Sequence, residues 1–206
     1  MAILRIHSSI QTEDEKKICQ FWGGAEGITF NDVDEFIGSI ADDDNVIEIH
    51  MHCDGGSVLE GWAIYDKIRA TGKNISVIVE GKAASMATVI MMAAPKEQRR
   101  AYSNSSFLCH NPYVQGYQLT GCLTADELQK QADSLKEDQE KILNLYVERC
   151  GCDKDEMQAL MDEDKFIDCN RAKELGLIGE IIAPASAKTH GAMSNHNTIK
   201  KMAKVS

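Results

Sequence analysis

The sequence predicts an α/β domain with a largely parallel sheet. Strand and helix patterns alternate three times within residues 46–94, as expected of βα units whose strands lie side by side. Val46–Cys53 sets Ile47, Ile49, Met51 and Cys53 against Glu48, His50 and His52, so one face of that strand is apolar. A β-branched run, Ile75-Ser76-Val77-Ile78-Val79, then leads to Gly81 and a small, apolar stretch without a breaker until Pro95. Strand, tight turn and buried helix are expected there.

The chain's bulk properties fit this reading. Its 206 residues, 43% hydrophobic and 26% charged, are enough for a substantial core. No run of eighteen uncharged apolar residues suggests a membrane span, and the opening apolar stretch is too short for a signal peptide. Cytoplasmic residence is the expectation. The net charge is −10, yet residues 188–206 hold Lys188, Lys200, Lys201 and Lys204 and no acid. An acidic body argues against nucleic acid as the main partner. The polar, basic stretch 183–206 has no apolar period and reads as a mobile tail on a body of residues 1–182. Seven scattered cysteines read as small buried thiols in a reducing compartment.

In chain order, residues 2–7 predict a short strand. Residues 13–20 are either a loop or a solvated helix, and residues 22–28 a turn. Thr29 caps a helix over residues 29–40, with Val33, Phe36, Ile37 and Ile40 on one face. After the strand Val46–Cys53 comes the turn Asp54-Gly55-Gly56-Ser57, then a helix over Val58–Ala70 with Leu59, Trp62, Ala63, Tyr65 and Ile68 available for packing. His50 and His52 share a strand face at a spacing that could ligate a metal. They lack an acidic or cysteine partner at a recognisable spacing, so they read as structural and no metal is called for. The glycine pair lets backbone approach a ligand and expose N–H groups, or is a plain tight turn. It has neither a dinucleotide fingerprint nor a phosphate loop.

The next strand is Ile75 to Val79, followed by a helix from Ser85 to about Ala94. Residues 101–110 predict a turn and a strand ending at His110, stopped by Asn111-Pro112. Residues 113–121 show no strong pattern. Residues 123–150 carry the longest helix signal, opened by the Thr124/Glu127 capping box. Leu128, Ala132, Leu135, Gln139, Ile142 and Tyr146 form its seam. At about 25 residues it would span about 38 Å, either projecting towards another subunit or lying across its own sheet. Residues 153–161 predict a short helix, 162–167 a loop or strand, 170–175 a helix and 177–182 a final strand.

Ser85, at a helix N-terminus, is either a nucleophile beside an oxyanion site or a small residue that lets a core helix pack. A serine hydrolase needs a serine, a histidine, an acid to orient it and N–H donors. Ser85, His110 and the glycine turn each follow or end a strand, and in a βαβ arrangement those strand ends can lie on one sheet edge. For the acid, Asp162, Glu163, Asp164 and Asp168 remain open.

Taken together, several segments resemble the Clp protease proteolytic subunit family in order. They are Asp54-Gly55-Gly56-Ser57-Val58 with Ile64-Tyr65-Asp66, Ala83-Ala84-Ser85-Met86-Ala87, His110-Asn111-Pro112, Asp164-Lys165-Phe166-Ile167 and Ala172-Lys173-Glu174-Leu175-Gly176-Leu177-Ile178. The resemblance runs from about residue 27 to 182. Gly27-Ile28-Thr29 and Leu123-Thr124-Ala125-Asp126-Glu127-Leu128 look most like the phage and prophage head-maturation branch. The fold so implied is the Clp protease/crotonase-like α/β fold, with repeated ββα units and a projecting long helix, the handle.

The resemblance implies Ser85 as nucleophile, His110 as general base and then acid, and Asp164 as orienting carboxylate. Gly56 and Met86 would supply the oxyanion N–H groups. A peptide would bind as an added strand between the glycine turn, at Gly55, Ser57 and Val58, and Tyr113-Val114. No cofactor is implied. The handle would interlock subunits of a homo-oligomeric ring, a heptamer or double ring. Three departures stand out. Cys53-Asp54 replaces the family's Ser-Pro and puts a charge beside the oxyanion turn. Little of the N-terminal loop that engages an ATPase ring precedes the first strand, which argues against an unfoldase partner. The basic tail has no counterpart.

The expected activity is serine endopeptidase action on polypeptides, trimming scaffold and coat proteins during capsid maturation, with residence in the cytoplasm or a prohead. The alternative is a general Clp-type peptidase fed by an ATPase unfoldase. More distant are a crotonase-type acyl-CoA enzyme, which would not need Ser85 and His110 together, and a non-catalytic shell protein, against which the Ser85, His110 and Asp164 set argues.

Overall fold

Alternating apolar strands and amphipathic helices build a parallel sheet with its core on one face. The structure is a computed structural model that describes residues 1–114 and 122–183. The chain opens with β1 (Ala2–Ile6), α1 (Glu13–Trp22) and α2 (Phe30–Gly38). The ambiguous stretch 13–20 is thus a helix, closed into a capping box by Thr12 and Glu15 and ended by Gly23 in the left-handed region. Thr29 caps α2 with Asp32 as expected, but the helix stops at Gly38.

Then come β2 (Val46–Cys53), α3 (Val58–Ala70), β3 (Asn74–Ala84), α4 (Met86–Met91) and, past a turn of 3-10 helix, β4 (Arg99–Tyr102) and β5 (Ser106–Leu108). The chain continues through α5 (Ala125–Cys150), α6 (Lys154–Glu163), β6 (Ile167–Asp168), α7 (Cys169–Glu174) and β7 (Glu180–Ile182). The strand order β1-β2-β3-β4-β7 is parallel throughout, and β5 pairs with β3 on one side and antiparallel with β6 on the other. Ile47, Ile49, Met51, Val77, Val79 and Ala101 are fully buried on the core face. On the other face His50 lies between Glu80 and Glu48, and Arg100 pairs with Glu48. His50 is therefore held by carboxylates, and His52 by the Glu80 carbonyl.

Several expectations are corrected. The Ile75 to Val79 strand does not end before Gly81: β3 runs on to Ala84, because its first part pairs with β4 and its last residues, Lys82 to Ala84, pair with β5. A second ladder holds the small residues extended despite their helix propensity. The turn shrinks to Ser85 alone, and α4 is only six residues long. Leu59 is 81% exposed rather than packed. The strand expected to end at His110 ends two residues earlier, at Leu108.

The long helix α5 has 26 residues, about 39 Å at 1.5 Å per residue. Its first buried side chain is Ile142, followed by Leu143, Leu145, Tyr146 and Cys150. Upstream, Leu128 is exposed while Ala132, Leu135 and Gln139 are half-buried. Of the cysteines expected to be buried, Cys53, Cys109, Cys150 and Cys169 are so, whereas Cys19 and Cys152 are half-buried and Cys122 is exposed. Of the stretch expected to be patternless, residues 115–121 lie outside the described residues, as does all of the expected mobile tail except Ala183.

Candidate active site

Two strand-to-helix turns meet at the C-terminal edge of the sheet. The first follows β2. Cys53 Sγ donates to Ser8 O at 3.0 Å and accepts from Gly55 N–H at 3.3 Å, while burial pushes its thiol up to about 11. This cysteine therefore braces the turn as a neutral thiol. Gly55 and Gly56 have φ of +90° and +145°, values that L side chains rarely adopt. A Cβ at Gly55 would lie 2.5 Å from Ser85 Cβ and 2.9 Å from Met86 N, and one at Gly56 would lie 2.0 Å from Ile10 O. Only glycine allows this approach of the two turns.

The second turn is Ser85 itself, at φ 55°, ψ −130°. A non-glycine residue there carries strain on the order of 1–3 kcal/mol. The surroundings hold it: Ser85 N–H donates to Leu108 O at 2.7 Å, and Ser85 O accepts from Thr88 N–H at 2.9 Å. Ser85 is half-exposed between the buried residues Ala84 and Met86. The N–H groups of Gly56 and Met86 have no hydrogen-bond acceptor among the described residues. Two open donors thus flank a half-exposed hydroxyl.

His110 lies two residues beyond β5, so the β3–β5 pairing carries it to the same edge as Ser85. Its side chain is 9% exposed, and Nδ1 lies 3.6 Å from Asp164 Oδ1. Burial lowers the His110 pKa, and the Asp164 carboxylate partly opposes that shift. The ring is thus biased towards its neutral form, able to accept a proton. Among the described residues no hydrogen bond joins Ser85 Oγ to this ring, and apo sites commonly show such pairs apart. Asp164 follows α6 with φ 49°. The neighbouring aspartates are engaged elsewhere: Asp162 accepts from Asn111 and Gln158 at 2.8 and 2.7 Å, and Asp168 caps α7 through Arg171 N–H. Glu163 is the last residue of α6.

Residues 36–185 match the sequence profile of the Clp protease family. This chain belongs to the Clp protease family. A curated relative, the ATP-dependent Clp protease proteolytic subunit of Bdellovibrio bacteriovorus, is 32% identical over 142 residues, spanning 69% of this chain and 66% of its own length. The fold is likewise that of a solved Clp structure, a point mutant of ClpP1 from Listeria monocytogenes. That match has a TM-score of 0.71 at 23% identity and covers 89% of this chain and 92% of the other.

Within this Clp-family site the positions expected to bind peptide are unequal. Ser57 N–H donates to Ile10 O, and Ser57 O accepts from Gly61 N–H, so the Ser57 backbone is already occupied. Val58 opens α3, with Ser57 as its cap. Gly56 pairs with Ile10 as a parallel bridge, which turns its own N–H and C=O away from Ile10. Tyr113 is 64% exposed, its ring 5.4 Å from that of His110, and Val114 is half-buried. Asp54, the charge beside the turn, pairs with Lys82. Ile10, Thr88 and Tyr146 also support the site, and the sequence patterns assign none of them to it. For Thr88 a signal exists, as the one hydroxyl within the apolar run 86–94.

Proposed function

We propose that this chain is a serine endopeptidase acting through an acyl-enzyme on Ser85. The observation that carries the reading is a convergence at one sheet edge: Ser85 on a left-handed backbone, the largely buried His110 ring beside Asp164, and the open N–H groups of Gly56 and Met86. In this mechanism Asp164 favours the His110 tautomer with its proton on Nδ1, leaving Nε2 to accept the Ser85 proton as Oγ attacks the scissile carbonyl. The N–H groups of Gly56 and Met86 hold the developing oxyanion. His110 then returns the proton to the leaving amine, and water repeats the sequence to release the acyl group. The peptide lies between the glycine turn, Gly55 to Val58, and Tyr113-Val114.

The assembly belongs to the same reading. Residues 125–141 of α5 carry no buried side chain, which supports their use as a handle in a homo-oligomeric ring, a heptamer or double ring. The natural role proposed is trimming of scaffold and coat proteins in a phage prohead, on the resemblance of residues 27–29 and 123–128 to that branch. A second reading, a general cytoplasmic peptidase fed by an ATPase unfoldase, has equal support, because the Bdellovibrio relative is named as ATP-dependent. Co-purification of an AAA+ unfoldase with the full chain favours the second role, and cleavage of a co-expressed scaffold protein favours the first.

The test of the chemistry is a fluorophosphonate, which acylates activated serines. Labelling of the assembled wild type and none of Ser85→Ala is expected. Absence of labelling near neutral pH would overturn the peptidase reading and return the crotonase-type and shell-protein alternatives.

A further inference from the structure

Ser85 C=O and Met86 N–H belong to one planar peptide unit and point in opposite directions. Whatever holds the carbonyl oxygen therefore aims the N–H. Two groups of Thr88 hold it: its N–H at 2.9 Å and its Oγ1 at 2.6 Å. Thr88 is fully buried, and its Oγ1 also lies 2.6 Å from Tyr146 Oη. A carbonyl oxygen can only accept, so the Thr88 hydroxyl proton goes to Ser85 O, and the Tyr146 hydroxyl must donate to Thr88 Oγ1. The chain of donors runs one way, from Tyr146 through Thr88 to Ser85 O. Cys109, the neighbour of His110, also sits against Thr88 Oγ1 at 3.9 Å.

Tyr146 is 1% exposed, and burial raises its pKa well above the ordinary tyrosine value, so its proton stays in place. Desolvation makes such a chain of hydrogen bonds strong when complete and costly when broken. Its position matters as well. Tyr146 lies on α5 just past Ile142, where the long helix first meets the body. The strained Ser85 turn is thus tied directly to the long helix, whose other half carries no buried side chain.

We infer that Tyr146, acting through Thr88, is a positioning residue: it fixes the Ser85–Met86 peptide so that the Met86 N–H faces the forming oxyanion. The inference rests on the peptidase reading above. Its consequence is that the seating of α5 and the aim of one oxyanion donor are set together.

The test uses the full chain and a fluorophosphonate. In that reaction a Ser85 Oγ–P bond forms, the P–F bond breaks, fluoride leaves and the Ser85 proton passes to His110. Saturation kinetics give kinact and KI separately. Tyr146→Phe and Thr88→Val should each lower kinact about 10- to 100-fold, less than the roughly 10²–10³ for outright loss of an oxyanion donor because the donor is misaimed and not removed, while KI changes less than about 2-fold. Thr88→Ser, which keeps the hydroxyl, should stay within about 3-fold of wild type. The double variant Tyr146→Phe/Thr88→Val should be no slower than Thr88→Val, because both act through one atom. Wild-type kinact in Tyr146→Phe, multiplying losses in the double variant, or equal damage from Thr88→Ser and Thr88→Val would each overturn the inference. Should Tyr146→Phe fail to fold, Thr88→Val decides, since it removes the group that Tyr146 binds; an unchanged kinact there also overturns it. Labelling of Ser85→Ala, or none of wild type, instead overturns the peptidase reading itself.

Discussion

The two turns at the sheet's C-terminal edge have the same surroundings and opposite chemistry. Both follow a parallel strand, both open a helix, and both leave the ordinary φ range. The β2–α3 turn uses Gly55 and Gly56, which have no side chain to strain. The β3–α4 turn puts a serine at φ 55° where glycine would rest more easily. A turn whose task is to present a backbone N–H can dispense with a side chain. A turn that must present a hydroxyl cannot, and carries the strain instead. On the peptidase reading, strain retained at a position where glycine was available is what a serine with a catalytic task requires.

The largest expected effect comes from removing that hydroxyl. Ser85→Ala should lower kcat by several orders of magnitude, on the order of 10⁶ in the best-measured triads, with folding intact by circular dichroism. A peptidase activity within about tenfold of wild type would erase the distinction between the turns, since loss of a triad nucleophile is far more severe.

Next is the glycine side. Gly56→Ala puts a Cβ 2.0 Å from Ile10 O at φ 145°. The backbone there must move, so a loss of about 3 kcal/mol or more is expected in urea unfolding, with activity lost as the two turns separate. Wild-type stability would mean that the turn is a flexible loop and that its glycines are incidental.

These two turns are unequally legible in the sequence. The glycine pair after an alternating strand announces a turn, though not whether its N–H groups serve a ligand or the turn is a plain one. Ser85 does not, because Ala83 and Ala84 favour a helix by local propensity and are extended through strands distant in the chain, β5 on one side and, at Ala83, β2 on the other. The start of α4 is nonetheless legible, since the helix expected from Ser85 begins at Met86 with Ser85 as its cap, and the caps at Thr29 and Thr124 are visible too, being entirely local. The acid is the hardest residue to choose. Asp162, Asp164 and Asp168 are chemically identical, and only the fold hands Asp162 to Asn111 and Gln158, Asp168 to a helix cap, and Asp164 to His110. The length of α5 is readable from its local pattern, but whether it projects or lies across its own sheet is not, and only the fold leaves residues 125–141 without a buried side chain.

The choice among those acids can be tested at His110, the histidine proposed to serve the second turn. Asp164→Asn should cost roughly 10²–10⁴ in kcat, while Asp162→Asn, which keeps an oxygen for Asn111 and Gln158, should stay within about threefold. The pH profile gives an independent sign. Burial holds the His110 pKa below its ordinary 6.5, and the Asp164 carboxylate pulls it up. The acid limb of kcat/KM, which follows the neutral ring in the free enzyme, should therefore have its midpoint below 6.5. Removing the Asp164 charge removes an upward pull, so the limb in Asp164→Asn should move to still lower pH. A shift to higher pH, or the larger kcat loss in Asp162→Asn, would show that another carboxylate orients His110.

The smallest effect bears most directly on the contrast between the turns. Ser85→Gly and Ser85→Ala both remove the hydroxyl and should be equally inactive, but they differ in what the backbone must endure. Alanine keeps a Cβ at φ 55°. Glycine relieves that strain while giving the unfolded chain more freedom, which opposes the gain by roughly 0.4–1 kcal/mol. With strain on the order of 1–3 kcal/mol, Ser85→Gly should unfold at a higher urea concentration than Ser85→Ala by an amount worth about 1 kcal/mol. If alanine is the more stable, the left-handed backbone at Ser85 costs less than the entropy that glycine adds, and the serine turn is no more strained than its glycine neighbour.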